Sequence, residues 1–80
     1  MTYIAALIAA EQRRARRLHP GTSVADDISD LQRLAILVEE VGEVSRALLE
    51  GDPSGLEEEL VQVCAVAANW LGRISGEGVL

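Results

Sequence analysis

Apolar residues recur every three or four positions along most of the chain, which is the period of an amphipathic α-helix, and no segment alternates as a β-strand does. The pattern predicts three helices, over residues 3–18, 30–50 and 53–74. Because the helical pattern continues across the 80 residues with only short interruptions, we interpret residues 1–80 as a single all-α domain.

Polar and helix-breaking residues stand where the pattern is interrupted. They are the breaker His19-Pro20-Gly21, the capping-box pair Ser29 and Gln32, the terminator Gly51, and the cap Asp52 followed by Pro53. Each is typical of a helix end, because caps satisfy free backbone amides and Gly or Pro stops a helix. Ser23 and Asp26 mark an alternative, earlier start of the second helix. Gly55 is expected to weaken the first turn of the third helix.

The third helix is apolar around nearly its whole circumference. From Leu60 to Leu71, only Gln62 and Asn69 interrupt the apolar residues. Such a helix must be enclosed on all sides, and two companion helices cannot surround it. We therefore predict a three-helix protomer whose helical bundle is completed by oligomerisation, as an obligate homo-oligomer that is a dimer or a tetramer.

The net charge of −6 is unevenly distributed along the chain. Residues 1–20 carry four Arg and one Glu, whereas residues 21–80 carry three Arg and twelve acids, so we expect no nucleic-acid partner. The arginines at positions 13, 14, 16 and 17 form either a phosphate-binding patch or a solvated helix face. The chain has neither a membrane-spanning apolar run nor the basic region of a signal peptide, so we expect a cytoplasmic protein with no membrane partner.

Three chemically versatile side chains are interpreted as structural. Cys64, within VQVCAVAA, is typical of a buried small hydrophobe and not of a catalytic thiol. Trp70 is more typical of a core residue than of a base-stacking one. His19 precedes a proline at a helix end, which favours a cap or linker residue over a metal ligand.

Acidic residues are concentrated in the second helix, where Glu39, Glu40 and Glu43 point into one wedge about 100° wide and repel one another. The third helix carries Glu59 and Gln62 at a matching spacing. If the two helices are antiparallel, the pair Glu40 and Glu43 faces the pair Glu59 and Gln62.

Four oxygen donors in that arrangement suit a hard divalent cation, Mg²⁺ or Mn²⁺, which would cancel the repulsion. The alternative is a solvated acidic face, in which first-turn acids such as Glu57 and Glu58 interact with the helix dipole.

Residues 31–74 resemble the MazG-like nucleotide pyrophosphohydrolases of the all-alpha NTP pyrophosphatase superfamily. That family is marked by E-E-x-x-E on one helix and E-x-x-D on the next. The first half stands here as Glu39-Glu40-Val41-Gly42-Glu43, and the second as Glu59-Leu60-Val61-Gln62, where Gln62 replaces the usual Asp.

The resemblance implies hydrolysis of a nucleoside triphosphate to a monophosphate and pyrophosphate with Mg²⁺, or Mn²⁺, as the cofactor. It implies metal ligation by Glu40, Glu43, Glu59 and Gln62, with Glu39 as the catalytic base or a group beside the ligands. An acidic pocket needs cations to hold a triphosphate, and the candidates are Arg46, Arg73 and the arginines of the first helix. Asn69 either contacts the nucleotide or forms a hydrogen bond across an oligomer interface.

Gln62 removes one negative charge from the expected ligand set, which lowers the affinity for Mg²⁺. This substitution favours an alternative function, a catalytically degenerate MazG-like module that binds a nucleotide or a protein without hydrolysis. A third interpretation is a helical scaffold with a solvated acidic face.

Overall fold

The computed structural model describes residues 2–76 and contains three helices, α1 (Thr2–Leu18), α2 (Asp30–Leu49) and α3 (Pro53–Ser75). No strand occurs in this range, so the prediction of an all-α, three-helix chain is confirmed. Within the same residues, none of the helices combines the length and the apolarity needed to traverse a lipid bilayer.

The start of α2 is fixed by the predicted capping box. The Ser29 hydroxyl accepts a hydrogen bond from the Gln32 amide at 3.1 Å, and the Gln32 side chain accepts one from the Ser29 amide at 3.0 Å. Two of the free amides at this helix end, those of Ser29 and Gln32, are thereby satisfied. Ser23 and Asp26 form a separate turn within the linker, where the Asp26 carboxylate accepts from the Ser23 amide at 2.8 Å.

A tight turn joins α2 to α3. Gly51 adopts φ 65°, a left-handed conformation that glycine takes without strain. Asp52 caps α3 by accepting a hydrogen bond from the Gly55 amide at 3.0 Å, and Pro53 follows in the first turn. The cap carboxylate lies against Gly55 so closely that a Cβ there would collide with it. The glycine is therefore matched to its cap, in addition to being a weak helix former.

α3 is the central element of the fold. It packs against α2 on one side and against α1 on the other, whereas within the described chain no Cα atom of α1 lies within 8 Å of a Cα atom of α2. α2 and α3 are antiparallel, since the side chains of Glu40 and Gln62 lie together and Asp30 accepts a hydrogen bond from Trp70 at 2.9 Å.

The buried interior of the described residues is small and contains polar side chains. Its members are Ala47, Ala65 and Gly72 together with Gln12, Arg33 and Asn69. Arg33 joins α2 to the preceding linker, because its guanidinium donates to the carbonyl oxygens of Ser23 at 2.9 Å and Asp26 at 2.7 Å.

Several apolar residues that the sequence pattern placed inside are exposed in the protomer. On α2 the apolar spacing predicts a buried stripe of Leu31, Leu34, Leu37, Val38, Val41, Val44 and Leu48. Of these residues, Leu37 and Val44 are half-buried and the other five are exposed. The interpretation of Cys64 as buried is wrong, since it is exposed on α3. The physical reason is that three helices leave one side of the α2 and α3 pair uncovered, and these residues lie on that side.

Candidate functional site

A cavity of about 250 Å³ lies between the three helices. Its walls come from α1, the following linker, α2 and α3. The lining residues are Glu11, Arg14, Ala15, His19, Thr22, Arg33, Ile36, Glu39, Glu40, Gln62, Ala65, Val66 and Asn69. Acidic residues and Gln62 lie toward one end of the α2 and α3 walls, and Arg33 and Asn69 lie about two helical turns further along them.

Gln62 joins the carboxylates of α2 and α3. With its side-chain amide assigned so that the nitrogen faces the carboxylates, Gln62 donates to Oε2 of Glu40 at 2.9 Å and to Oε2 of Glu59 at 3.1 Å, whereas the opposite assignment sets its oxygen against both acids. All three side chains are half-buried. The antiparallel pairing therefore brings together three of the four residues predicted to face one another, with the amide group of Gln62 between the two acids Glu40 and Glu59.

Desolvation and neighbouring negative charge raise the pKa of two acids in this cluster, Glu40 and Glu59. The pKa of the Glu40 carboxyl is raised first by desolvation and then by the negative charges of Glu59, Glu39 and Glu43. Desolvation, followed by the charges of Glu43 and Glu58, also raises the pKa of Glu59. The cluster thus carries more negative charge than its own surroundings neutralise, which disfavours the fully ionised state.

The other two predicted acidic residues of α2, Glu43 and Glu39, lie at the edge of the cluster formed by Glu40, Glu59 and Gln62. Glu43 forms an ion pair with Arg46, with Oε2 3.0 Å from the guanidinium, and Glu39 is exposed where it lines the cavity. Among residues 2–76, no three His, Cys, Asp or Glu side chains converge as a metal-binding group. The donors are of the right chemical type for Mg²⁺, and closing them around an ion requires side-chain rotations.

Asn69 meets Gln12 at the wall between α1 and α3. Gln12 donates from Nε2 to Oδ1 of Asn69 at 2.7 Å, and both residues are buried. The two roles predicted for Asn69 are a contact with the nucleotide and a hydrogen bond across an oligomer interface. Neither includes this hydrogen bond, which lies within the protomer.

Two predicted phosphate-binding arginines are engaged in ion pairs. Arg46 is held by Glu43, and Arg73 contacts Asp27 in the linker at 3.1 Å, outside the cavity wall. Of the α1 arginine cluster, Arg14 lines the cavity and pairs with Glu11 at 2.8 Å, which raises the pKa of its guanidinium. The other three arginines of the cluster are exposed.

The sequence interpretation overlooked Arg33 and Gln12. Arg33 is 3% exposed, and its Nε has no hydrogen-bond partner in the described chain. The sequence feature that could have identified Arg33 is its position about two helical turns before Glu40, which places both residues on the same face of α2. Gln12 likewise follows Ile4 and Ile8 at the spacing of an apolar stripe.

Comparison of the chain with models of protein families, with curated proteins and with solved structures finds no significant match.

Proposed function

We propose that the chain is a divalent-metal-dependent nucleoside triphosphate pyrophosphohydrolase, which converts a triphosphate to a monophosphate and pyrophosphate. The supporting observation is the contact of Glu40 and Glu59 through Gln62 at one end of a cavity whose walls also hold arginines. The resemblance of residues 31–74 to the MazG-like family gives this arrangement its chemical interpretation.

Mg²⁺, with Mn²⁺ as a substitute, is the proposed cofactor. Glu40, Glu43 and Glu59 would hold it, together with Gln62 once its amide has turned so that oxygen faces the carboxylates. The raised pKa values of Glu40 and Glu59 support this assignment, because a cation relieves the repulsion that causes part of each shift. The ion would neutralise polyphosphate charge and make bound water more acidic.

The other residues at the cavity have separate roles in this proposal. Glu39, exposed at the cavity wall, orients the attacking water and accepts its proton. Arg14 and Arg33 supply positive charge within the cavity, and Arg46 does so after release from Glu43. Asn69 positions the nucleotide through the face of its amide that does not meet Gln12. Arg73 lies beside Asp27 and takes part only if that ion pair opens.

We further propose that this enzyme acts in the cytoplasm as a homo-oligomer, because three helices leave one side of α3 without a neighbour. Its partner is a nucleoside triphosphate and not a nucleic acid, since the acidic part of the chain repels a continuous phosphate backbone.

Pyrophosphate release from a panel of nucleoside triphosphates with Mg²⁺ or Mn²⁺ tests this function directly. We expect release that is lost in Glu40→Gln and retained in the matched control Glu57→Gln, which removes an exposed acid from the same cluster region. Release from no nucleotide, or release unchanged by Glu40→Gln, contradicts the proposal. Mg²⁺ should also raise the Tm of the wild type, because a ligand of the native state stabilises it.

A second candidate function is a nucleotide-binding module without hydrolysis. The observation that favours it is the Gln62 amide, whose nitrogen, when it faces the carboxylates, donates to both Glu40 and Glu59. Calorimetry separates the two functions: nucleotide binding that is insensitive to a chelator and yields no pyrophosphate supports the module. A gain of metal affinity and rate in Gln62→Asp supports the enzyme, because it restores the missing charge.

A further inference from the structure

Arg33 carries a buried positive charge at the cavity wall. Its side chain is 3% exposed, and its terminal nitrogens donate to carbonyl oxygens of the linker. Among residues 2–76, no carboxylate lies within 4 Å of the guanidinium, and Nε has no hydrogen-bond partner. The carboxylate of Asp26 is held by Ser23 instead. Because buried charges in proteins are normally paired, this guanidinium favours an anionic group of a ligand.

Asn69 adds a second donor at the same end of the cavity. Its side chain is buried at the cavity wall, and its Oδ1 accepts a hydrogen bond from Gln12 at 2.7 Å. The amide N–H groups of Asn69 therefore remain for a ligand. Together with Nε of Arg33, they suit a carboxylate, which accepts several hydrogen bonds at once.

The opposite end of the cavity has the opposite charge. Glu39 and Glu40 line it, and in the part of the chain that the structure describes no cationic nitrogen lies within 4 Å of either carboxylate. Arg14 lines the cavity as well, but its Nε donates to both oxygens of Glu11, at 2.8 and 3.0 Å. A primary ammonium group suits Glu39 and Glu40, because it combines a positive charge with three donors.

Small and aliphatic side chains separate the two charged ends. They are Ala15, Ile36, Ala65 and Val66. Arg33 and Glu40 are two helical turns apart on α2, so the ends lie about 10 Å from each other. The cavity volume of about 250 Å³ is below the roughly 300–1,000 Å³ of pockets for drug-sized ligands. These dimensions suit a short molecule with an aliphatic body.

We propose that the cavity binds a small zwitterion, an ω-amino acid whose carboxylate meets Arg33 and Asn69 and whose ammonium group meets Glu39 and Glu40. A ligand with only one of the two charges leaves the other end of the cavity unpaired, which costs binding energy. The aliphatic chain between the charged groups packs against the apolar walls. This binding goes beyond the proposed hydrolysis and requires neither a metal nor a nucleotide.

NMR detection of the arginine Nε–H groups tests the proposal on the wild-type protein in the presence of a chelator. The probe is 6-aminohexanoate, whose two charges lie about 8 Å apart when it is extended. We expect a saturable shift of the Arg33 resonance and a rise in Tm. Hexanoate and hexylamine, which keep the chain and one charge each, should bind at least about tenfold more weakly. So should 3-aminopropanoate, which is too short to reach both ends.

A matched pair of variants locates the ammonium group. Glu40→Gln should weaken the binding of 6-aminohexanoate at least about tenfold, because it removes one of the two carboxylates. Glu57→Gln removes an exposed acid that does not line this cavity and should leave binding unchanged. Arg33 is observed and not replaced, because it also holds the linker.

Several results would overturn the proposal. They are the absence of saturable 6-aminohexanoate binding, equal binding of hexanoate or hexylamine, a shift that spares the Arg33 resonance, and equal weakening by Glu40→Gln and Glu57→Gln. Pyrophosphate release is measured in separate samples with metal and nucleotide, so the failure of one proposal is distinguishable from the failure of the other.

Discussion

Gln12 of α1 and Asn69 of α3 form a buried hydrogen bond of 2.7 Å between residues that are 57 positions apart in the chain. It joins the two helices at a point where the interior offers few apolar contacts, since the buried apolar side chains of the described residues are Ala47 and Ala65. The docking of α1 therefore depends on polar contacts to an unusual degree.

Removing one partner of this hydrogen bond should destabilise the protein. We expect Gln12→Leu and Asn69→Leu each to lower the free energy of unfolding by about 1–3 kcal/mol, because the remaining buried amide loses its partner. The double variant should cost less than the sum of the two single variants. Urea unfolding followed by circular dichroism, at one fixed protein concentration, measures all three. Additive losses would show that the two amides act independently.

Arg33 should be essential for the order of the linker between α1 and α2. Arg33→Met removes the donors to Ser23 and Asp26, and we expect a loss of about 2–3 kcal/mol in the free energy of unfolding. Arg46→Met, which removes an exposed arginine of the same helix, should change it by less than about 1 kcal/mol. Faster proteolysis within residues 19–29 should accompany Arg33→Met alone. Equal effects of the two substitutions would contradict the anchoring role of Arg33.

Glu40→Gln should stabilise the metal-free protein at neutral pH. The pKa of Glu40 is raised above its ordinary 4.5 in the folded state, so its ionised form opposes folding above the folded-state pKa. This destabilisation disappears as the pH falls through that pKa toward the unfolded value. We expect a gain of a few tenths to about 1 kcal/mol at pH 7, which vanishes below about pH 4.5.

Unfolding in the presence of a chelator at several pH values measures this difference. Glu57→Gln is the control, because Glu57 is exposed, whereas the pKa of Glu40 reflects the cluster around Gln62. A pH-independent gain would point to a cause other than charge. Loss of stability in Glu40→Gln would mean that its contact with Gln62 outweighs the repulsion.

Gly55 should be replaceable only together with its cap. We expect Gly55→Ala to destabilise the protein by about 1 kcal/mol through displacement of the Asp52 carboxylate, and Asp52→Ala to cost a similar amount. In the double variant the collision is absent and Ala favours the helix, so it should be no less stable than Asp52→Ala. Thermal unfolding of the three variants measures the effect. A double variant that loses the sum of both costs would rule out the collision.

Local features of the fold follow from the sequence because their causes lie within a few residues. Ser29 and Gln32 start α2 as predicted, and Asp52 with Pro53 starts α3, since a cap satisfies amides of its own first turn. The approach of Glu40 to Gln62 was equally predictable, because a short turn forces the two helices to be antiparallel neighbours.

Contacts between distant segments could not be predicted in the same way. The apolar spacing of α2 identifies a stripe, but the position of α3 decides that Val44 turns inward and Val41 outward. The partner of Gln12 depends on how α1 lies across α3. The sequence predicted the proximity of Glu40, Glu59 and Gln62. The position of Arg33 in the cavity wall could not be predicted, because it depends on how the linker runs past α2.

The backbone of α1 packs against α3 and stays farther from α2. The fold therefore consists of a helical hairpin, α2 and α3, and a first helix that is held mainly by α3. Segments with few tertiary contacts open without global unfolding, so backbone amides of α1 should exchange with deuterium before those of α2 and α3. Each such opening removes one whole wall of the cavity, so a molecule bound against Arg14 should in turn slow the exchange of the α1 amides.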